Sequence, residues 1–312
     1  MAFVLGIDTS NYTTSAAIYD ASVNSLTHNK QLLPVKQGDC GIRQSDAVFH
    51  HTRQLPDIIS ALDFDGIEVE AIAVSATPRE CEGSYMPCFL SGVAVAKSIS
   101  KVMNVPLYTF SHQQGHIAAA AFGCDNLDLL KAPFIAFHVS GGTTEALLVT
   151  PSKESVVSAR LIAETTDLNA GQLVDRIGVL MGLSFPCGPA IEKLALECTD
   201  KIKVKATLKD KNCCLSGFEN KISKIYKDTY DKSYTALYTL KTISSTLIAM
   251  TDAILREYGD LPLLYAGGVM SNSIIKEDIR SVYPEAFFAP AEFSADNAAG
   301  IAVLGALSHK KD

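Results

Sequence analysis

Two stretches of this chain, residues 4–19 and 134–150, follow one order: a short apolar run, a tight polar turn and a second run. In the first, Val4 to Asp8 reads as a buried strand, Thr-Ser-Asn-Tyr-Thr as the turn, and Thr14 to Tyr19 as the returning strand. In the second, Phe134 to Val139 leads through Ser140-Gly141-Gly142-Thr143-Thr144 into Glu145 to Thr150. A strand-turn-strand device used twice predicts two similar lobes facing a cleft. The length agrees, since 312 residues exceed what one domain of about 100–200 residues needs.

Between and after these hairpins the pattern alternates, which predicts an α/β class. Helical spacing is expected over about 47–62, 91–103, 112–122, 170–181, 190–197, 234–258 and 296–307. Short strands are expected at 71–76, 105–109, 261–266 and 287–288. Hydrophobic residues make up 47% and charged residues 20%, enough for a large core and against disorder. No apolar run reaches the length of a membrane span, and MAFVLGIDTS has no basic n-region, so it reads as a first strand in a cytoplasmic protein. None of the eight cysteines forms a CxxC pair, which favours reduced, mostly buried thiols over a disulfide scaffold or a cysteine zinc site.

The net charge of −7 argues against a stand-alone nucleic-acid binder. Residues 201–232 dissent, with nine lysines against Asp210, Glu219, Asp228 and Asp231, a local +5. Such a run is either a solvated face or a footprint for a phosphate backbone.

Four short motifs carry chemistry. His112-Gln-Gln-Gly-His116 puts two imidazoles on one helical face, close enough to grip one divalent metal, although HxxxH also occurs as unrelated surface or core histidines. Gln113 stands where a zinc peptidase of the HExxH type carries its glutamate base. The adjacent glycines of Val139-Ser140-Gly141-Gly142-Thr143-Thr144 let backbone N–H groups approach an anion, or simply form a hairpin turn. Ala266-Gly267-Gly268-Val269-Met270-Ser271-Asn272 suits a nucleotide against backbone or a tight strand-to-helix turn; it lacks the GxGxxG spacing of a dinucleotide site. Asp296, opening Asp-Asn-Ala-Ala-Gly, is an N-cap or a metal ligand, and Asp8 at the end of the first strand has the same two readings.

Taken in order, these segments resemble the TsaD family of tRNA threonylcarbamoyl-adenosine synthases, formerly labelled O-sialoglycoprotein endopeptidases. The resemblance runs from Gly6 to Gly305. It includes GIDTS at 6–10, HQQGH, VSGGTT, Asp175 within AGQLVDRIGVLMGL, Pro186-Cys187-Gly188-Pro189-Ala190, Leu215-Ser216-Gly217-Phe218, AGGVMSN and the stretch from Phe288 to Ala299. It implies a two-lobed actin-like ATPase fold (ASKHA, ribonuclease H-like), with one lobe from 1–115 plus 290–312 and the other from 116–289. It implies one divalent metal, Fe2+ or Zn2+, held by His112, His116 and Asp296, with Asp8 and Asp296 in catalytic positions. Ser10, His138, Val139, Ser140, Gly141, Gly142, Thr143, Asp175, Gly188, Gly267, Gly268 and Asn272 would contact an adenine nucleotide or acyl-adenylate. The implied activity moves a threonylcarbamoyl group from threonylcarbamoyl-AMP to N6 of adenine 37 of tRNA. The implied partners are tRNA, a TsaB-like paralogue and a small ATPase.

The chain departs from the family pattern in four places. Tyr12 and Thr13 stand where the family carries an acidic pair, Thr143 where it carries a histidine, and Thr77-Pro78-Arg79-Glu80 where it carries a glycine-rich segment. Of the family's motif near the first helix, only His51 is kept. Asp8 or Glu145 could supply the missing charge. Two readings therefore stand: an acyltransferase, and a nucleotide-holding paralogue or scaffold without turnover. A metallopeptidase is disfavoured by Gln113.

Overall fold

The computed structural model describes residues 3–10, 12–34, 42–294 and 298–310. The chain divides into two compact units. The first comprises residues 1–132, 150–159 and 292–312, and the second 133–149 and 160–291.

The first unit begins with β1 (Phe3–Ser10), β2 (Thr13–Asp20) and β3 (Ser25–Leu32), each antiparallel to the next. Then come α1 (Gln44–Ser60), β4 (Val69–Thr77), α2 (Phe89–Met103), β5 (Leu107–Ser111) and α3 (His112–Gly123). β4 pairs parallel to β1 and β5 parallel to β4, giving the sheet order β3-β2-β1-β4-β5. β1 and β2 are buried along their whole length apart from Phe3, as expected of central strands covered on both faces.

The second unit starts with β6 (Phe134–Val139), β7 (Thr144–Ser152) and β8 (Val156–Glu164). It continues with α4 (Ala170–Leu180), α5 (Gly188–Leu196), the two-residue strands β9 (Leu208–Lys209) and β10 (Asn212–Cys213), α6 (Ser216–Thr229) and α7 (Lys232–Tyr258). β11 (Leu263–Ala266), α8 (Ser273–Val282) and β12 (Phe287–Phe288) complete it, and α9 (Ala299–His309) belongs to the first unit. The sheet order is β12-β11-β6-β7-β8, with β6 and β7 antiparallel and β11 parallel to both β6 and β12. Read outward from the first strand of each hairpin, the two sheets have the same plan: two further strands on one side, two parallel strands on the other. The stacked rings of Phe137, Tyr265 and Phe288, with centroids 4.8 and 5.2 Å apart, tie the three parallel strands of the second sheet into its core.

Sequence reading placed a boundary after residue 115; α3 runs unbroken through that point, held by a capping box at its start. Ser111 Oγ accepts from Gln114 N at 3.2 Å while Gln114 Oε1 accepts from Ser111 N at 2.7 Å. Gln114 Nε2 also donates to the carbonyl of Val157 at 2.6 Å, so the second glutamine of HQQGH is structural. The last helix begins at Ala299, three residues later than expected, and β3, β8 and α6 were not foreseen. No helix among the described residues is long and apolar enough to cross a membrane.

Candidate functional site

In the first unit the site is assembled at the end of β1 and the first turn of α3. α3 lies close to α9 because neither helix has a side chain at the crossing. A Cβ on Gly300 would sit 1.8 Å from the carbonyl oxygen of Gly115. The imidazoles of His112 and His116 lie with centroids 4.3 Å apart at 72°. His112 Nδ1 is 3.1 Å from Asp8 Oδ1, which also accepts from Ser75 Oγ. Asp8 is fully buried, and its Oδ2 makes no hydrogen bond.

A second polar group lies behind it. Thr14 Oγ1 is 2.6 Å from Gln54 Oε1 and 2.8 Å from His51 Nδ1. Gln54 Nε2 donates to the carbonyl of Leu32 at 3.2 Å, which fixes the amide orientation. The single hydroxyl proton of Thr14 therefore goes to Gln54, and Thr14 must accept from His51 Nδ1–H. That leaves Nε2 of His51 as a buried, unpartnered acceptor, like Ser10 Oγ nearby. Burial pushes the His51 pKa down to about 4; the Asp8 charge and the Ser10 carbonyl oppose this only in part, and His50 adds to it. Burial, reinforced by the Asp8 charge, pushes the Cys88 thiol up to about 11, so this cysteine is an inert packing residue.

The donor set fits a divalent metal. A ligating histidine ordinarily gives its other ring N–H to a carboxylate, as His112 Nδ1 can to Asp8, and Nε2 would then be its ligating nitrogen. No group of three His, Cys, Asp or Glu side chains placed to hold a metal occurs among the described residues, and Asp296, the expected third ligand, lies outside them.

In the second unit a cavity of about 290 Å³ opens beside the turn between β6 and β7. Gly141, Asp175, Gly188, Gly268 and Asn272, all singled out from sequence, line it together. Sequence reasoning did not single out Glu192, Leu240 and Ile275, which complete its wall. Leu240 and Ile275 belong to ordinary apolar helix faces, and no local signal separates them from core. Glu192 Oε1 accepts from Ser273 N at 2.7 Å and so ties α5 to the start of α8. Asn272 Oδ1 caps that helix by accepting from Ile275 N at 3.1 Å. Asp175 Oδ1 accepts from Cys187 N at 2.9 Å, which anchors the turn carrying Gly188.

The glycines around this cavity fall into two kinds. Gly267 is required by the fold: its φ is +104°, and a Cβ would sit 2.2 Å from the carbonyl oxygen of Val139. Gly141, Gly188 and Gly268 have no such φ, and a Cβ on any of them would meet nothing within 4 Å. Their bareness leaves the backbone there open to approach. In the turn itself, Ser140 Oγ accepts from the N–H groups of Gly142 and Thr143 at 3.3 and 3.1 Å. His138, Ser140, Gly142, Thr143 and Gly267 are not among the residues that wall the cavity, and the side chain of Val139 is buried in the core.

The second unit thus carries a glycine-lined cavity between strand ends and helix starts, and the first unit carries a histidine pair on α3 held by the end of β1. The family model of TsaD, tRNA N6-adenosine threonylcarbamoyltransferase, matches residues 23–303. This chain belongs to the TsaD family. Among curated TsaD-family relatives, a tRNA N6-adenosine threonylcarbamoyltransferase of Sulfurihydrogenibium sp. (strain YO3AOP1) is 30% identical over 97% of this chain and 89% of its own length. One of Thermosipho africanus (strain TCF52B) is 30% identical over 99% of this chain and 94% of its own. Among solved structures, full-length HypF in its phosphate- and nucleotide-bound form superposes with a TM-score of 0.62 at 14% identity, covering 99% of this chain. This TsaD-family chain spans about half of HypF, 46% of that protein's length. A ROK family glucokinase from Streptomyces griseus matches all of its own length at a TM-score of 0.54 and 11% identity. These likenesses place the TsaD-family fold among the actin-like ATPases.

Proposed function

We propose that this chain transfers a threonylcarbamoyl group from threonylcarbamoyl-AMP to N6 of an adenine, adenine 37, in tRNA. The observation that carries this is the cavity of the second unit, where Gly141, Asp175, Gly188, Gly268 and Asn272 meet from four separate segments around about 290 Å³. Val174, Leu240, Val269 and Ile275 give it apolar walls for a purine, and Asp175, Ser271 and Asn272 give it a few polar groups to orient one. In the reaction, adenine N6 attacks the carbamoyl carbon, the bond from that carbon to the adenylate phosphate oxygen breaks, AMP leaves, and N6 loses one proton. The three bare glycines bring neutral backbone to the adenylate, and no lysine or arginine lines the cavity.

His112, His116 and Asp296 would hold one divalent ion, Fe2+ or Zn2+, for which two imidazoles and a carboxylate suit either metal. Bound there, the ion would supply Lewis-acid polarisation to oxygens of the mixed anhydride. Asp8 then acts as a positioning residue, since it holds the His112 ring through Nδ1 at 3.1 Å. The partners that go with this reading are tRNA, a TsaB-like paralogue and a small ATPase, in the cytoplasm.

The test is reconstitution of purified protein with ATP, threonine, bicarbonate, an adenylate-forming enzyme, the partner proteins and unmodified tRNA. Threonylcarbamoyladenosine in the nuclease digest, seen by mass spectrometry, is the expected result. Its absence where a relative such as the Thermosipho africanus enzyme yields product would overturn the transferase reading.

One observation favours a second reading, a nucleotide-holding paralogue without turnover. At the first turn Tyr12 is 40% exposed and Thr13 is buried, so neither position offers the carboxylate that the family carries there. Calorimetry with ADP and with a threonylcarbamoyl-adenylate separates the two: binding without any product would favour the paralogue.

A further inference from the structure

The lysine-rich stretch of the second unit is more ordered than its composition suggests. From Lys201 to Lys209 exposure alternates residue by residue: Lys201, Lys203, Lys205, Thr207 and Lys209 face out, while Ile202, Val204, Ala206 and Leu208 turn in. Ile202, Val204 and Leu208 pack against the core of the unit, so the segment is laid onto the protein by its apolar half. This is the period of an extended chain, which spaces alternate side chains about 6.5–7 Å apart. Four ammonium groups therefore stand in one row.

The row is pinned at its far end. β9 and β10 pair as a small hairpin, Asn212 Oδ1 accepts from Glu164 N at 2.9 Å, and Thr166 N donates to the carbonyl of Cys213 at 2.9 Å. Asp167 then accepts from Leu215 N at 2.8 Å and from Ser216, fixing the start of α6. α6 continues the positive surface with Lys221, Lys224 and Lys227 at helical spacing, all exposed. It is tied to α4, which lines the cavity, through Arg176 and Glu219 at 3.0 Å. Among the described residues Lys201, Lys203, Lys205 and Lys209 make no ion pair, whereas Lys211 pairs with Glu257 at 2.5 Å. The stretch 201–232 carries +5 in a chain of net −7, so the other residues carry −12. Asp200 and Asp210 flank the row, but within it the outward side chains keep one sign, in register and without ion pairs, which a merely solvated face in so acidic a protein does not need.

We propose that the row Lys201-Lys203-Lys205-Lys209, extended by α6, is a docking surface for the phosphate backbone of RNA. It rests on the transferase reading only for the identity of that RNA as the tRNA to be modified. Contacts to successive phosphates by flexible ammonium groups position a strand without reading its sequence. The surface therefore holds the RNA body on the same unit as the adenylate cavity, and recognition of the target base lies elsewhere.

The test is binding of a fluorescein-labelled, unmodified tRNA transcript by anisotropy across a series of KCl concentrations. Wild type is compared with a variant carrying Lys201→Gln, Lys203→Gln, Lys205→Gln and Lys209→Gln, and with a control carrying Lys97→Gln and Lys101→Gln on α2. Circular dichroism verifies folding, and a second set with arginine at the same four positions should restore binding. The four-glutamine variant is expected to bind at least about tenfold more weakly, with the slope of log affinity against log salt reduced by about 3, near 0.7–0.9 per lost phosphate contact. An unchanged slope, or equal loss in the control, overturns the proposal, as does loss of binding to phosphatidylserine vesicles with tRNA binding intact. Product formation in the reconstituted reaction separates the two readings. Product with tRNA binding that does not depend on the lysine row sinks the surface alone; row-dependent binding without product sinks the transferase alone.

Discussion

The two hairpin turns occupy equivalent places in two sheets of the same plan, yet they are built for different chemistry. The strand ends that flank the turn between β1 and β2 are packed with buried polar side chains: Asp8, Thr9, Ser10, Thr13 and Thr14 are all nearly inaccessible. The turn between β6 and β7 exposes Gly141 and Gly142, with open space where their side chains would be. The first therefore acts through side chains, holding His112 and His51 in set orientations and tautomers. The second acts through bare backbone beside a cavity. One fold unit thus presents buried polar side chains or open backbone according to whether its hairpin is filled with carboxylate and hydroxyl groups or emptied by glycine.

That contrast can be broken most severely at the histidine pair. His112→Ala should lower metal content, read by inductively coupled plasma mass spectrometry, and cut product formation at least about a hundredfold. ADP affinity at the second turn should stay unchanged; parallel loss of both would mean the turns are not separable. Next in size is Gly267→Ala. With φ at +104° and a Cβ driven into the Val139 carbonyl, it should cost about 3 kcal/mol of unfolding free energy in urea. A loss within about 0.5 kcal/mol would refute the assignment of Gly267 to the fold.

A third contrast concerns acid. The folded pKa of His51 lies below its ordinary 6.5, at about 4, so folding favours the neutral ring. Its contribution is complete above pH 6.5 and is lost as the pH falls toward 4, about 3 kcal/mol in all. The stability of wild type should fall more steeply than that of His51→Gln across this window, and superimposable pH profiles would contradict a buried ring held neutral by desolvation. The smallest effect sharpens the comparison instead. Gly141→Ala should leave stability within about 0.5 kcal/mol while weakening ADP binding about tenfold, because the added methyl projects into ligand space rather than into protein. Undiminished ADP affinity would mean that the glycine serves nothing at the cavity.

Strongly apolar or small-residue segments were legible. β1, β2, β6 and α3 fall within two residues of where alternation and helical spacing put them. β3 was missed because SLTHNKQL is an edge strand of mostly polar residues, which composition alone reads as loop. α6 was missed because its lysines hide a narrow buried stripe of Phe218 and Ile222. Of the residues singled out in advance, His112 and His116 lie side by side, and Gly141, Asp175 and Asn272 border one cavity, Asp175 having come from the family resemblance rather than from spacing. Ser75 and the Thr14–Gln54 link to His51 were not foreseen, because they join residues 37–67 positions apart through single hydrogen bonds.

By itself the sequence determined the two hairpins and most of the apolar strands and helices, since periodicity and glycine placement act over a few residues. It also marked the residue types that can bind a metal or bare a backbone. Tertiary structure alone decided that Asp8 steadies His112 and that His51 presents Nε2. It also decided that Gly141, Gly188 and Gly268 border one cavity and that four lysines share one edge. Those outcomes depend on distances between segments far apart in the chain, and burial sets both the protonation of a ring and the room beside a glycine only after the segments have packed.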